Sequence, residues 1–163
     1  MVIKQIYLDM DGVLVNFIDG GVKAGVLDIK SGKVDWNILN ALGSNYWEDL
    51  EWLEEGRKLY EFLLEFTKEH EIDLCILTAV GLTSGKEGKI NWIKKHGLKI
   101  NPLNVYIVNR GSDKKSFADN ESLLIDDYSK NVNEFIQAGG EAIKFKKNTN
   151  EVINKIKELV SKD

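Results

Sequence analysis

The stretch Ile6-Tyr7-Leu8-Asp9-Met10-Asp11-Gly12-Val13 decides how the chain is read. Val2 to Leu8 is short and rich in β-branched and aromatic residues, the composition of a central strand covered on both faces. It runs straight into two carboxylates two residues apart, followed by Gly12. Like charges so close repel, and a fold holds them best where a cation or a proton is shared. Gly12 permits a sharp turn and leaves room for a ligand. An isolated Asp-x-Asp-Gly is more simply an acidic turn leading into a helix, so its meaning depends on what the chain places beside it.

Working outward, the chain has 163 residues, enough for one domain with a sizeable core and a small insertion. Hydrophobic residues at 43% and charged residues at 29% are ordinary for a globular protein. A net charge of −4 gives no broad basic footprint, which disfavours duplex nucleic acid as a partner. A compact anion remains suitable if lysines and a metal converge locally. The first strand begins at once, so no signal peptide is expected, and no apolar run approaches a membrane span. The single Cys75 lies in an apolar run and reads as a buried reduced thiol, so the expected location is the cytoplasm.

Five apolar runs read as strands: Ile3 to Leu8, Ile72 to Leu77, Val105 to Val108, Leu123 to Ile125 and Ala142 to Phe145. Helical stripes fall between and after them, through Leu59, Phe62, Leu63 and Phe66, then Ile90 and Ile93, then Val132, Phe135 and Ile136, and last Val152, Ile153, Ile156, Leu159 and Val160. Strands alternating with helices predict an α/β fold, a doubly wound, mostly parallel, five-stranded Rossmann-like sheet. Asn16 to Glu55 is too long for an ordinary loop and holds Phe17, Trp36, Tyr46, Trp47 and Trp52. We expect a small helical cap over residues 16–55, inserted into a core of residues 1–15 and 56–163. Most of its aromatic rings should form its own core, with one or two free to stack on a flat ligand.

In an open parallel sheet, ligands bind beyond the carboxyl ends of the strands. The first strand ends in Asp9 and Asp11, the second in Thr78, and the fourth in Asp126-Asp127, while the third is followed by Asn109-Arg110-Gly111-Ser112-Asp113-Lys114-Lys115. Four acids at two strand ends suit a hard cation such as Mg²⁺. A hydroxyl and a lysine from the other two suit a phosphoryl group. Each feature alone has a plain structural explanation, Thr78 as a helix cap and Lys114-Lys115 as a solvated loop. Their joint order along the chain is what carries weight.

Asp9-Met10-Asp11-Gly12-Val13, Leu77-Thr78, a lysine before the fourth strand and Leu124-Ile125-Asp126-Asp127 resemble the four motifs of the haloacid dehalogenase (HAD) superfamily of phosphatases. More narrowly, Asp9 to Phe17, Tyr46 to Trp52 and Lys89-Ile90-Asn91-Trp92 resemble the 5′(3′)-deoxyribonucleotidase family in its short bacterial and phage form. The resemblance implies Asp9 as the nucleophile that becomes an aspartyl-phosphate. It implies Asp11 as the acid that protonates the leaving alkoxide and then activates water. Asp9, the Asp11 carbonyl and Asp127, with Asp126, would hold Mg²⁺. Thr78 would bind a phosphoryl oxygen, Lys114 or Lys115 would offset its charge, and Phe17 and Trp47 would line a nucleoside pocket. Lys89 would either reach the phosphate or solvate its helix. Where mammalian members continue Ser-Pro after the threonine, this chain has Ala79-Val80, which leaves only backbone donors there.

The chemistry has the same requirements without any family. A phosphate monoester dianion repels a carboxylate, so a cation and a lysine must offset that charge before Asp9 can approach. An alkoxide leaves poorly unless an acid is within hydrogen-bond reach. The expected activity is therefore a Mg²⁺-dependent phosphatase, a phosphoric monoester hydrolase acting on a small molecule, a 5′-nucleoside monophosphate. Two alternatives stand beside it: the same machinery acting on a sugar phosphate or a nucleic-acid 3′-phosphate, and a non-catalytic module that binds Mg²⁺ and a nucleotide. The oligomeric state is open, a homodimer included.

Overall fold

β1 (Gln5–Leu8) lies at the centre of a sheet ordered β3-β2-β1-β4-β5, with β2 (Asp73–Ala79), β3 (Val105–Val108), β4 (Ser122–Asp126) and β5 (Glu141–Lys144). All four ladders are parallel. The architecture comes from a computed structural model that describes residues 2–81 and 83–161. The expected α/β fold, doubly wound and Rossmann-like, is present, and the sheet is wholly parallel.

Strand alternation divides the core into two layers. Ile6, Leu8, Leu74, Ile76, Leu123 and Ile125 face the larger one, shared with Leu59 and Leu63 of α4 (Glu54–Glu69) and with Val152 and Ile156 of α7 (Thr149–Ser161). Tyr7, Cys75, Leu77 and Leu124 face the other, against Phe135 of α6 (Ser129–Gln137). β2 runs two residues beyond the expected Leu77, because Thr78 and Ala79 still pair with Ile107 and Val108 of β3. Thr78 is therefore the last buried position of a strand and does not cap a helix.

The segment between β1 and α4 holds three short helices, α1 (Phe17–Lys23), α2 (Trp36–Leu42) and α3 (Ser44–Glu48). Asn16 and Asp35 cap the first two through side-chain oxygens. Val26, Leu39, Tyr46, Trp47 and Leu50 from this segment belong to the same apolar cluster as the sheet. α3 lies directly on α5 (Thr83–Lys95), where Gly88 lets Trp47 and the Ser44 carbonyl come close. Trp52 packs edge-on against Trp92 of α5. Trp36 alone of the segment's tryptophans is exposed. Among the described residues, no helix is long and apolar enough to cross a membrane.

Candidate active site

Because β1 pairs with β2 on one side and β4 on the other, the sequence order reverses at β1, and a crevice opens beyond its carboxyl end. Asp9 follows β1 directly, and its N–H donates to the Ile125 carbonyl of β4 (3.0 Å). The Met10 N–H donates to Asp9 Oδ1 (2.8 Å), fixing the carboxylate at the mouth of the sheet. Gly12, with φ of 81°, turns the chain, and a Cβ there would fall on the Asp127 carboxylate. Carboxylate oxygens of Asp9, Asp126 and Asp127 lie within 4.8 Å of one another.

Lys114 sits among these acids with 2% exposure, its Nζ 3.0 Å from Asp9 Oδ1 and 2.7 Å from Asp126 Oδ2. A 3₁₀ helix, Gly111–Phe117, delivers it, started by the Arg110 N–H donating to Asp113 Oδ2 (2.9 Å). On that helix, Lys115 points outward and is exposed. The structure thus brings one of the two lysines to the acids and leaves its neighbour in solvent. Burial opposes the Lys114 charge, but Asp9 and Asp126 outweigh it and hold the ammonium above its ordinary range.

Asp126 has both oxygens occupied: Oδ2 accepts from Lys114 and from Asn131 Nδ2 (3.1 Å), and Oδ1 accepts from the Tyr128 N–H (2.9 Å). Burial and the Asp9 charge push its carboxyl up, with Lys114 acting against them. The Asp127 carboxyl is pushed up to about 8 by burial, by the charges of Asp9 and Asp126, and by its hydrogen bond to Asp9.

Lys89, from α5, is equally buried, and its three donors reach Asp11 Oδ2 (2.9 Å), Thr78 Oγ1 (2.6 Å) and the Ala79 carbonyl (2.9 Å). An ammonium has three N–H groups, so Lys89 is saturated by these partners. It does not solvate its helix. Asp11 Oδ1 is buried with no partner among the described residues. Trp47, 4% exposed, stacks on Phe17 (5.6 Å between centroids) and carries the Lys89 ammonium 5.2 Å from its ring centre. Phe17 lines a cleft of about 300 Å³ that reaches Gly12 and Asp127; Trp47 is not among that cleft's walls.

The acids Asp9, Asp11, Asp126 and Asp127 face two ammonium groups, Lys89 and Lys114. With all four carboxyls ionised, two negative charges stand without a cation among the described residues, the deficit that one divalent ion fills; without an ion, the Asp127 carboxyl, pushed up to about 8, keeps a proton instead. The donor set, carboxylate oxygens without sulfur or imidazole, suits Mg²⁺.

Two positioning features were not foreseen from sequence. Asn131 lies five residues after Asp126, in the first turn of α6, where its amide reaches back to the carboxylate; Gly111 leaves room for it. The tie between Lys89 and Asp11 joins a helix to a turn far away in the chain, and no local pattern announces it.

No family model matches the chain, and no curated protein does. Solved structures do match in fold. A HAD-superfamily hydrolase from Ehrlichia chaffeensis has a TM-score of 0.56 at 15% identity, over 99% of this chain and 100% of that one. A HAD hydrolase of family IA, variant 3, from Entamoeba histolytica has a TM-score of 0.61 at 12% identity, over 93% and 89%. A HAD family enzyme from Bacteroides thetaiotaomicron, solved as a mutant in complex with magnesium and inorganic phosphate, has a TM-score of 0.52 at 15% identity, over 90% and 95%. The chain has the Rossmann-like α/β fold of HAD-superfamily hydrolases along nearly its whole length.

Proposed function

We propose that this protein is a Mg²⁺-dependent phosphatase that transfers the phosphoryl group of a 5′-nucleoside monophosphate to Asp9 and then to water. The observation that carries the reading is the buried group of Asp9, Asp126 and Asp127 with Lys114 at its centre, which once its carboxyls are ionised is short of cations by two charges. The magnesium and inorganic phosphate held by the Bacteroides thetaiotaomicron enzyme of the same fold support the choice of ion and anion.

Asp9 and Asp127 would hold the ion, with the main-chain carbonyl of Asp11. Asp126, both of whose oxygens accept hydrogen bonds, serves best as the anchor of Lys114. Bound Mg²⁺ supplies charge neutralisation at the phosphoryl oxygens. In the first step Asp11 enters protonated on Oδ1, the oxygen without a partner among the described residues, while Oδ2 stays on Lys89; an Asp9 oxygen attacks phosphorus, the ester P–O bond breaks, and Asp11 gives that proton to the departing alkoxide. In the second, Asp11 takes a proton from water, the resulting hydroxide attacks phosphorus, and Asp9 and inorganic phosphate are released. Thr78 and Lys114 stabilise charge on the transferring group. Lys89 holds the Asp11 carboxylate and the Thr78 hydroxyl in fixed relation. We place this activity in the cytoplasm, where the free, buried Cys75 stays reduced.

The aromatic wall that Phe17 gives the cleft beside Asp127 favours a flat leaving group. A second reading, a sugar phosphate or another small phosphomonoester, is favoured by the burial of Trp47, which leaves one of the two expected rings at that cleft. Phosphate release measured over a panel of deoxynucleotides, ribonucleotides, sugar phosphates and an aryl phosphate separates the two. No release from any phosphomonoester with Mg²⁺ present overturns both.

A further inference from the structure

The cleft beside Asp127 has a basic rim that the proposed chemistry does not use. β5 pairs with β4 so that Lys144 stands opposite Asp126, and the Phe145 N–H donates to the Asp126 carbonyl (2.9 Å). The strand thus ends at the same edge as the acids and continues into Lys146 and Lys147. Phe145 is buried and anchors the turn, while Lys146 and Lys147 stay exposed. Lys144, Lys146 and Lys147 all line the cleft of about 300 Å³ whose other walls include Phe17, Gly12, Asp127 and one further acid, Asp19, whose Oδ2 accepts from Asn16 Nδ2 (3.0 Å). Lys144 donates to Ser129 Oγ (2.6 Å), and among the described residues none of the three is ion-paired.

Three lysines within four residues are unusual company for a carboxylate cluster in an acidic chain. They cannot serve the metal, which they would repel. They can serve an anion that extends out of the site along the cleft. A scissile phosphate at Asp9 and Asp127, a flat ring against Phe17 and an anionic group at the rim together describe one ligand.

We infer that the cleft between Phe17 and Lys144-Lys146-Lys147 is a subsite for a second phosphate on the leaving group, so that a nucleoside bisphosphate is preferred over a monophosphate. The inference rests on the phosphatase reading for turnover, but binding can be tested apart from it. The second phosphate can be a monoester, as in a nucleoside 3′,5′-bisphosphate, or the diester of a 5′-phosphorylated dinucleotide.

Calorimetry on the Asp9→Asn variant with Mg²⁺ compares a nucleoside 5′-monophosphate, the 3′,5′-bisphosphate of the same nucleoside and the 5′-phosphorylated dinucleotide. Tighter binding of a two-phosphate ligand by about tenfold is expected, and it should shrink as salt rises. In the K146Q/K147Q variant on the same background, the ratio should fall to about one. A tighter dinucleotide than bisphosphate assigns the rim to a diester and supports the subsite. Equal affinity for one and two phosphates, or a preference that survives K146Q/K147Q, overturns it. The wild-type protein is assayed in parallel for phosphate release: no turnover with the binding preference intact removes the phosphatase reading and leaves the subsite standing.

Discussion

The Nζ of Lys89 lies 2.9 Å from Oδ2 of Asp11, although the two residues are 78 positions apart in the chain. The same ammonium also holds the Thr78 hydroxyl and the Ala79 carbonyl, so the proposed acid and the proposed phosphate hydroxyl share one buried anchor. Lys89→Met leaves Asp11 without its cation and frees Thr78 to rotate. We expect kcat to fall by about 10²-fold, the scale of a mispositioned acid, with a smaller change in KM. Lys89→Arg should not rescue it, because a planar guanidinium cannot reproduce three convergent donors. Steady-state kinetics on any turned-over phosphomonoester decide the point. A rise in KM with kcat intact would make Lys89 a simple phosphate contact.

Asp9→Asn keeps the shape of the side chain, including an oxygen that can accept from Met10, but removes the nucleophile. Phosphate release should drop by at least about 10³-fold. Circular dichroism should remain that of the wild type. Retained turnover would eliminate covalent transfer to Asp9.

The sheet and the four clusters at its carboxyl edge were legible because each is local: an apolar run and the polar residues that follow it. What could not be read required knowing which side of a helix faces inward. Lys114 and Lys115 are adjacent and chemically alike, and only the 3₁₀ geometry of Gly111–Phe117 turns one inward and the other out. Tyr46 and Trp47 have the composition of either a lid or a core, and the structure buries both, Trp47 against α5 and Tyr46 against Phe17 and Gly21 of α1. The expected strand end at Leu77 falls short of the observed Ala79 because Thr78-Ala79 carries no strong apolar signal, whereas pairing with β3 continues through both.

Gly12 has a φ of 81° and leaves no room for a Cβ beside Asp127. Gly12→Ala therefore meets two penalties, a left-handed backbone that costs about 1–2 kcal/mol for a residue with a side chain, and a displaced carboxylate. Mg²⁺ affinity measured by calorimetry should weaken by about 10-fold or more, as when the support of a metal ligand is disturbed. Unchanged Mg²⁺ affinity would mean that Asp127 does not hold the ion.

Asp127 also makes stability depend on pH. Its carboxyl is pushed up from 3.8 to about 8, so between these values the folded protein holds a proton that the unfolded chain has lost. Stability from this group therefore falls as pH rises through that window and levels off above about 8. Mg²⁺ requires the ionised carboxylate. The rise in Tm on adding Mg²⁺ should be small near pH 5 and grow toward pH 8. Asp127→Asn should flatten this part of the metal-free profile and remove the Mg²⁺ response. Thermal melts across pH, with and without Mg²⁺, test both statements, and a Mg²⁺ effect that shrinks with rising pH contradicts them.

The segment between β1 and α4 packs on α5 through α3, and two glycines of α5 probe that contact separately. A Cβ at Gly88 would fall on the Trp47 side chain and the Ser44 carbonyl, whereas a Cβ at Gly85, three residues earlier, would meet Trp47 at 3.4 Å. Gly88→Ala must push α3 away from α5, and because the clash is with a backbone carbonyl and a Cβ the cost falls in the upper part of the about 1–3 kcal/mol range for overpacking, above the roughly 1 kcal/mol gained by replacing a helical glycine. Gly85→Ala gains the same propensity with little steric penalty. Gly88→Ala should therefore lower Tm by several degrees, and Gly85→Ala should hold or raise it. Because Trp47 borders Lys89, the first variant should also lower kcat while the second leaves it close to wild type. Calorimetric melts that rank the two variants the other way would show that α3 does not rest on α5 in solution.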